Sequence, residues 1–199
     1  DLGCLRDLFP SLMRRLAPTR TSLSLPSLRV EALNRNQDLA AEIAKVRKTG
    51  LTIAPEAGSD RLRRVINKIG FDEQEILTAV QQAARAGWES LKFYFMIGLP
   101  GETDADVLGI ADTCRRLQQQ CRDLGRLQLN LTISNFTPKP HTPFQWHSVS
   151  KAEFQRRQEL LREALKIGQG KILYQRGVCA HQGSHAVAYD TPTQSGGGA

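Results

Sequence analysis

The hydrophobic and polar positions of the chain follow two alternating patterns. Short apolar runs closed by glycine or proline alternate with longer segments in which apolar residues recur every three or four positions. The first pattern predicts buried strands and the second predicts amphipathic helices. The expected strands cover residues 22–31, 51–54, 91–97 and 127–134, with a short last strand near 171–174. Regular alternation of strand and helix predicts an α/β protein with a parallel sheet, either a barrel or a doubly wound fold.

Capping residues mark where the expected helices begin. Apolar spacing predicts helices over residues 5–16, 38–48, 60–69, 73–86, 104–124 and 151–167. Ser59, Asp72, Thr103 and Ser150 each stand just before one of these helices, where their side-chain oxygens can accept hydrogen bonds from the first turn. Cys114 and Cys121 lie seven residues apart on the apolar stripe of one helix. We expect both to be core residues rather than metal ligands.

The strand expected over residues 91–97 is the most apolar in the chain, and we expect it to be buried on both faces. It leads into Gly98-Leu99-Pro100-Gly101, a turn that places a helix start at the carboxyl end of the strand. Ligands of α/β proteins bind at such places. Taken alone, this turn favours an ordinary connection that binds nothing.

Polar and glycine-rich residues follow each of the expected strands. They are Arg29 and Glu31, residues 56–59, residues 98–102 and residues 135–147. Because the carboxyl ends of barrel strands share one face, we expect these groups to converge there. The last of them is a loop with three prolines, several aromatic residues and two histidines. It predicts a substrate pocket with Asn135, Lys139, His141 and Thr142, or alternatively a packing loop over the barrel mouth.

Composition narrows the class of protein. The chain has 199 residues, of which 40% are hydrophobic and 24% charged, as in ordinary globular proteins. Four dispersed cysteines, no membrane-length apolar run and no basic leader predict a cytoplasmic protein. The net charge of +7 is consistent with RNA as a partner, but it is also consistent with basic residues that only solvate helix faces. Residues 177–199 are poor in apolar side chains and predict a disordered tail after a domain over residues 1–176.

Three motifs in this order resemble the radical S-adenosylmethionine (SAM) superfamily. They are Leu-Thr-Ile-Ala-Pro-Glu-Ala-Gly-Ser (51–59), Met-Ile-Gly-Leu-Pro-Gly-Glu-Thr (96–103) and Pro-Lys-Pro-His-Thr-Pro-Phe-Gln-Trp (138–146). The nearest resemblance is to uncharacterised members that often carry a cobalamin-binding-like domain, and it covers about residues 1–170. It implies a partial TIM-like barrel made of strands 3 to 6 of a (β/α)6 core.

The resemblance also implies which residues hold SAM. Ile97, Gly98, Leu99 and Pro100 match the adenine-contacting turn of the family. Glu56, Gly58 and Ser59 match the segment that contacts the ribose and the methionine part, and Arg29 and Glu31 match a third strand end less closely. An apolar floor suits adenine, and a carboxylate suits ribose hydroxyls.

The Cys-x3-Cys-x2-Cys motif of the family is absent from these residues. Three close thiolates are needed to hold three irons of the 4Fe–4S cluster. We therefore expect the chain to be a fragment whose cluster-binding part lies ahead of Asp1, in a full-length enzyme that reductively cleaves SAM to a 5′-deoxyadenosyl radical. Cobalamin dependence of the full-length protein is compatible with the resemblance. The alternatives are a barrel that binds a ligand without a cluster, and a basic RNA-binding or scaffold module.

Overall fold

The computed structural model describes residues 5–19, 21, 51–124, 127–166 and 172–176. Four strands form one sheet in it: β1 (Leu51–Glu56), β2 (Ser90–Ile97), β3 (Gln128–Asn135) and β4 (Ile172–Arg176). They lie in the order β1-β2-β3-β4, and every neighbouring pair is parallel. The expected parallel α/β architecture is confirmed. The strand expected at 22–31, the helix expected at 38–48, Arg29, Glu31 and the tail from 177 lie outside the described residues.

Five α-helices accompany the strands. They are α1 (Leu5–Leu16), α2 (Asp60–Val65), α3 (Glu73–Arg85), α4 (Asp104–Gln120) and α5 (Lys151–Lys166). Short 3-10 turns follow at Ala17–Thr19 and Arg122–Leu124. Helices α2 and α3 connect β1 to β2, α4 connects β2 to β3, and α5 connects β3 to β4. Each strand of the sheet is thus joined to the next by a helical crossover, as parallel pairing requires.

The expected capping residues lie at the helix starts. The side chain of Asp72 accepts a hydrogen bond from the Glu75 N–H at 2.9 Å, and the Glu75 carboxylate accepts one from the Asp72 N–H at 2.9 Å. Ser59 Oγ accepts from the Leu62 N–H at 3.1 Å. These bonds satisfy N–H groups that the helix itself leaves without partners, and they fix where each helix begins.

One face of the sheet forms the main hydrophobic core with the helices. Ile53, Phe93 and Leu131 are in register on three adjacent strands, and all three are fully buried. Helices α3, α4 and α5 supply the opposing side chains, among them Ile76, Val80, Ile110, Leu117 and Leu161. Helices α4 and α5 lie side by side on this face, and α5 contacts β2.

The opposite face of the sheet contradicts one sequence expectation. Strand β2 is not buried on both faces: its burial alternates, and Lys92 and Tyr94 are exposed on the side away from the helices. The side chain of Tyr94 is 41% exposed. The aromatic run hid this alternation, because tyrosine and methionine count as apolar residues although they occupy the open side of the strand.

Helix α2 is shorter than predicted. The apolar spacing suggested a helix to Ile69, but the helix ends at Val65, and Val65 and Ile69 are 41% and 68% exposed. Asn67 adopts a left-handed conformation with φ of 56°, and the Lys68 N–H donates to the Arg63 carbonyl at 2.8 Å. This is a common way for a helix to end, and asparagine tolerates the required backbone angle.

The two described cysteines are confirmed as core residues. Cys114 and Cys121 are 0% and 1% exposed on the inward side of α4 and at its end. Burial raises the pKa of the Cys114 thiol to about 12. Both groups are therefore neutral thiols that pack as small apolar side chains.

Candidate site at the carboxyl ends of the strands

Three strand ends lie next to each other at one edge of the sheet. Ile97 at the end of β2 is in register with Asn135 at the end of β3, and Glu56 ends the neighbouring β1. The Phe136 N–H donates to the Ile97 carbonyl at 2.8 Å and extends this pairing beyond β3. The structure thus brings together three of the residue groups that the sequence placed at the site.

Glu56 has an unusual backbone at the end of β1. Its φ is 67°, in the left-handed region that residues other than glycine rarely adopt, and the pairing with β2 is irregular between Ile53 and Glu56. Its carboxylate accepts a hydrogen bond from Lys68 Nζ at 3.2 Å. The side chain remains 25% exposed. A conformation of this kind costs free energy of about 1 to 3 kcal/mol and persists only where the surrounding structure enforces it.

Gly98 begins the turn after β2 and must be a glycine for two reasons. Its φ is 80°, and a Cβ atom there would lie 2.0 Å from Cε1 of Phe154 on α5. The Gly98 N–H donates to the buried carboxylate of Glu102 at 2.6 Å. Leu99 packs in a small apolar cluster with Ala57 and Leu62. The Phe154 ring packs against the turn, and the Glu102 carboxylate accepts a hydrogen bond from its backbone.

Glu102 connects this turn to helix α5. Arg157 donates to the Glu102 carboxylate at 2.6 Å, and the two side chains are 14% and 1% exposed. Burial raises the pKa of Glu102, although the Gly98 N–H and the Arg157 guanidinium oppose the shift. This buried ion pair links the turn to α5. Removing either partner would leave a buried charge without compensation, so the link is costly to break.

Asp106 ties the two strand-end turns to each other. Its buried carboxylate accepts hydrogen bonds from Ser59 in the turn after β1 and from Arg61 in α2. It also accepts from the Thr103 N–H at 2.8 Å and the Thr103 hydroxyl at 2.7 Å. Burial acts to raise the pKa of Asp106, but hydrogen bonds from Arg61, Ser59 and Thr103 outweigh it, and the pKa lies below its ordinary value. Asp106 is thus an ionised acceptor in the first turn of α4.

Gly58 lies where the first turn crosses helix α4. A Cβ atom on Gly58 would lie 2.1 Å from the Asp106 carbonyl oxygen, and one on Gly109 would lie 2.4 Å from the Gly58 carbonyl oxygen. Two glycines therefore let the turn and the helix approach backbone to backbone. This gives Gly58 a packing role, and its predicted contact with SAM stays a prediction.

The loop after β3 is built differently. Phe136 makes edge contacts with Phe144 and His147, with ring centroids 6.2 and 5.9 Å apart. The His141 N–H donates to the Gln145 side chain at 3.2 Å, and the Thr142 hydroxyl donates to the Lys139 carbonyl at 2.7 Å. Thr142 is thus bonded to Lys139, and His141 to Gln145, within the loop itself.

Asn135 is anchored by helix α5. Its side-chain oxygen accepts a hydrogen bond from Gln158 Nε2 at 2.8 Å. Lys139 and His141 are exposed farther along the loop, and Trp146 is 89% exposed. Of the four predicted pocket residues, Asn135 alone is at a strand end in the described structure.

Sequence reasoning missed two sets of residues at this site. The first comprises Glu102, Asp106 and Arg157, whose buried polar bonds join segments distant in sequence. The second lies on the open face of the sheet and includes Lys92 and Tyr94. The strict alternation of residues 127–134 was the available signal for the second set, because it already indicated a sheet with one polar face.

The described residues do not fit an iron–sulfur cluster. No group of three or more His, Cys, Asp or Glu side chains in the described ranges is arranged to hold a metal ion. Cys114 and Cys121 are buried, neutral thiols, whereas a cluster is held by thiolates. No helix in the same ranges is both long and apolar enough to cross a membrane.

Two similar proteins help to place the chain. An uncharacterised protein of Methanocaldococcus jannaschii is 37% identical over 123 residues, which is 62% of this chain and 25% of that protein. Coproporphyrinogen III oxidase from Escherichia coli, described as a radical SAM enzyme, matches with a TM-score of 0.54 and 17% identity. That match covers 81% of this chain and 36% of the oxidase, and it shows a shared fold.

The chain thus spans about a quarter of the curated relative and about a third of the solved structure. The family model of the radical SAM superfamily matches residues 7–114. These residues make up more than half of the 199 in the chain, and they include β1, β2 and both strand-end turns. The chain belongs to the radical SAM superfamily.

Proposed function

We propose that this chain is part of the core barrel of a radical SAM enzyme and binds the adenosyl part of SAM at the ends of β1 and β2. The superfamily uses SAM together with a 4Fe–4S cluster, and these supply reductive cleavage of SAM to a 5′-deoxyadenosyl radical. The observation that carries the proposal is the pair of left-handed residues, Glu56 and Gly98, at the ends of adjacent strands. Asp106 of α4 bonds to Ser59 of one turn, and Arg157 of α5 bonds to Glu102 beside the other.

The chain's own residues have distinct roles in this proposal. The Glu56 carboxylate accepts hydrogen bonds from the ribose hydroxyls, since it is only half-buried and Glu56 is in register with Phe95 near the end of β2. Ile97, Gly98, Leu99 and Pro100 offer an apolar surface with a fixed backbone to the adenine ring. Gly58, Ser59, Arg29 and Glu31 complete the proposed cofactor contacts.

The proposal for the substrate side uses the loop after β3. Asn135 lies beside Ile97, and Lys139, His141 and Thr142 lie farther along the loop. These side chains are proposed to contact the substrate, because they lie beyond the carboxyl end of β3, where barrel enzymes bind substrates.

The cluster is proposed to be held outside this chain. The sequence has no Cys-x3-Cys-x2-Cys motif, and the described cysteines do not fit one. In this arrangement β1, β2 and β3 correspond to strands 4, 5 and 6 of the core, and strand 3 falls in residues 22–31. Cobalamin in the full-length protein is compatible with the resemblance to a branch with a cobalamin-binding-like domain. The spread of the cysteines supports a cytoplasmic location.

Titration of SAM into the full-length protein that contains this chain tests the proposal. The protein is reconstituted with iron and sulfide without oxygen, and SAM binding is followed by calorimetry. Glu56→Gln removes the charge of the proposed ribose acceptor, and we expect the dissociation constant to rise about tenfold or more. Glu163→Gln, an exposed carboxylate paired with Lys166 on α5, is the matched control and leaves the affinity unchanged.

A second variant separates a ribose contact from the ion pair. Lys68→Met removes the cation bonded to Glu56 but keeps the carboxylate. A much smaller loss of affinity than in Glu56→Gln supports direct contact with SAM. Equal losses in both variants, or no SAM binding by the reconstituted wild type, would overturn the proposed role of Glu56.

RNA binding is the second candidate, and the net charge of +7 favours it. Many of the described arginines already form ion pairs with carboxylates, which weakens this argument. They are Arg61, Arg115, Arg116, Arg156, Arg157 and Arg162. A steep decrease of RNA affinity with salt would favour this candidate.

A further inference from the structure

The open face of the sheet has a lysine and a tyrosine at its centre. Lys92 and Tyr94 lie on β2, which is hydrogen-bonded to β1 on one side and to β3 on the other. Lysine often occurs on edge strands, where it prevents pairing with other chains. This explanation does not apply to an internal strand, so the exposed Lys92 needs another reason.

The neighbours of these two residues are neutral and able to hydrogen-bond. Thr52 of β1 and Asn130 of β3 are in register with Lys92 on either side, and Thr132 is in register with Tyr94. Residues in register on a parallel sheet project from the same face, so Thr52 and Asn130 flank Lys92 on the open face. The Asn130 amide also donates to Ser90 Oγ at 2.8 Å, which fixes its orientation.

The charge of Lys92 is not balanced by a neighbouring carboxylate. Lys68 and Lys166 form ion pairs with Glu56 and Glu163, whereas no ion pair of Lys92 is found within the described ranges. The nearest side chains in register, Thr52 and Asn130, carry no negative charge. An uncompensated cation among hydrogen-bonding groups is complementary to a small anion.

We propose that this face binds a small molecule through an anionic group, a carboxylate or a phosphate, held by Lys92 with Thr52 and Asn130. Tyr94 lies one step nearer to the carboxyl edge and presents its ring and hydroxyl to the remainder of the molecule. The identification of this molecule with the substrate rests on the proposed function, because in a barrel this face lies beneath the cofactor turn. The anion site itself stands on the sheet geometry.

Residue-resolved labelling of lysines tests the site. The full-length protein is treated with acetic anhydride, with inorganic phosphate or acetate as the probe, and labelling at each lysine is measured by mass spectrometry. We expect labelling of Lys92 to slow by about tenfold in about 10 mM phosphate, as a millimolar dissociation constant requires. Lys151, an exposed lysine on α5, is the internal control and keeps its rate.

The outcomes separate the possible ligands. Protection by phosphate alone assigns a phosphate-bearing ligand, and protection by both probes extends the class to carboxylates. Thr52→Val is close to isosteric and should reduce the protection of Lys92 without unfolding the strand. Equal rates at Lys92 with and without both probes, or equal protection of Lys151, would overturn the site. SAM titration of Lys92→Met keeps this result apart from the cofactor proposal, because we expect wild-type affinity for SAM.

Discussion

The turns after β1 and β2 and the loop after β3 lie at the same edge of the sheet but are held in different ways. Both turns depend on buried polar side chains from other elements: Asp106 binds Ser59 of the first turn, and Glu102 and Arg157 fix Gly98 of the second. The loop is held by its own residues, such as Thr142 on Lys139 and the rings around Phe136.

This difference separates two tasks at one edge. The turns have a fixed backbone, since Asp106 of α4 bonds to Ser59 near the left-handed Glu56, and Arg157 of α5 bonds to the Glu102 carboxylate that accepts from Gly98. The loop instead presents side chains to solvent, including Lys139, His141 and Trp146. A cofactor common to a superfamily suits the fixed turns, and a substrate that varies between members suits the loop.

The largest expected effect comes from Gly98 in the second turn. Gly98→Ala places a Cβ atom against Phe154 and strains a φ of 80°, whereas Gly101→Ala strains a φ of 72° with no atom within 4 Å. We expect the free energy of unfolding to fall by about 3 to 4 kcal/mol for Gly98→Ala and by about 1 kcal/mol for Gly101→Ala. Urea denaturation of both variants measures the difference.

The comparison of the two glycines isolates the contact with α5. Adding Phe154→Leu to Gly98→Ala removes part of the clash and should recover some of the lost stability. If Gly98→Ala and Gly101→Ala lose the same amount, backbone strain alone explains both, and Phe154 does not hold the turn.

A smaller effect is expected at Asp106, and it depends on pH. Asp106→Asn replaces an ionised acceptor of four hydrogen bonds, so the free energy of unfolding at about pH 7 should fall by about 2 to 3 kcal/mol. The pKa of Asp106 is lowered from 3.8 in the folded chain, so the unfolded chain takes up the proton first as the pH falls. The stability that ionised Asp106 provides is therefore present above about pH 4 and lost below it.

Urea denaturation at about pH 7 and about pH 3 checks this prediction. The difference between wild type and Asp106→Asn should shrink at the lower pH. Asp112→Asn is the matched control, because Asp112 lies on the same helix, is 54% exposed and pairs with Arg115. The free energy of unfolding of Asp112→Asn should differ from that of the wild type by no more than about 0.5 kcal/mol at both pH values. A difference at Asp106 that does not change with pH would contradict its role as an ionised acceptor.

The sequence predicted the features that depend on neighbouring residues. Asp72 and Glu75 form their capping box from three positions apart, and the strand and helix at 91–120 follow from local apolar spacing. The convergence of Glu56, Gly98 and Asn135 followed from the rule that parallel strands end at one edge. These expectations needed no knowledge of which helix packs on which strand.

The contacts that hold the turns could not be predicted in this way. Glu102 and Arg157 are 55 positions apart, and nothing in either local pattern indicates that they pair. The contact of Phe154 with Gly98 could not be predicted either, since the glycine indicated a turn but not which ring packs against it. The end of α2 was missed because apolar spacing continued to Ile69, while the left-handed Asn67 decided the boundary.

The smallest effect is expected in the loop, at Trp146. This side chain is 89% exposed, so Trp146→Ala should change the free energy of unfolding by no more than about 0.5 kcal/mol. Phe136→Ala in the same loop removes the ring that contacts Phe144 and His147, and it should cost about 1 to 2 kcal/mol. Urea denaturation compares the two variants. A cost above about 1 kcal/mol for Trp146→Ala would mean that packing also fixes the loop. The proposed difference between the fixed turns and the loop with exposed side chains would then be wrong.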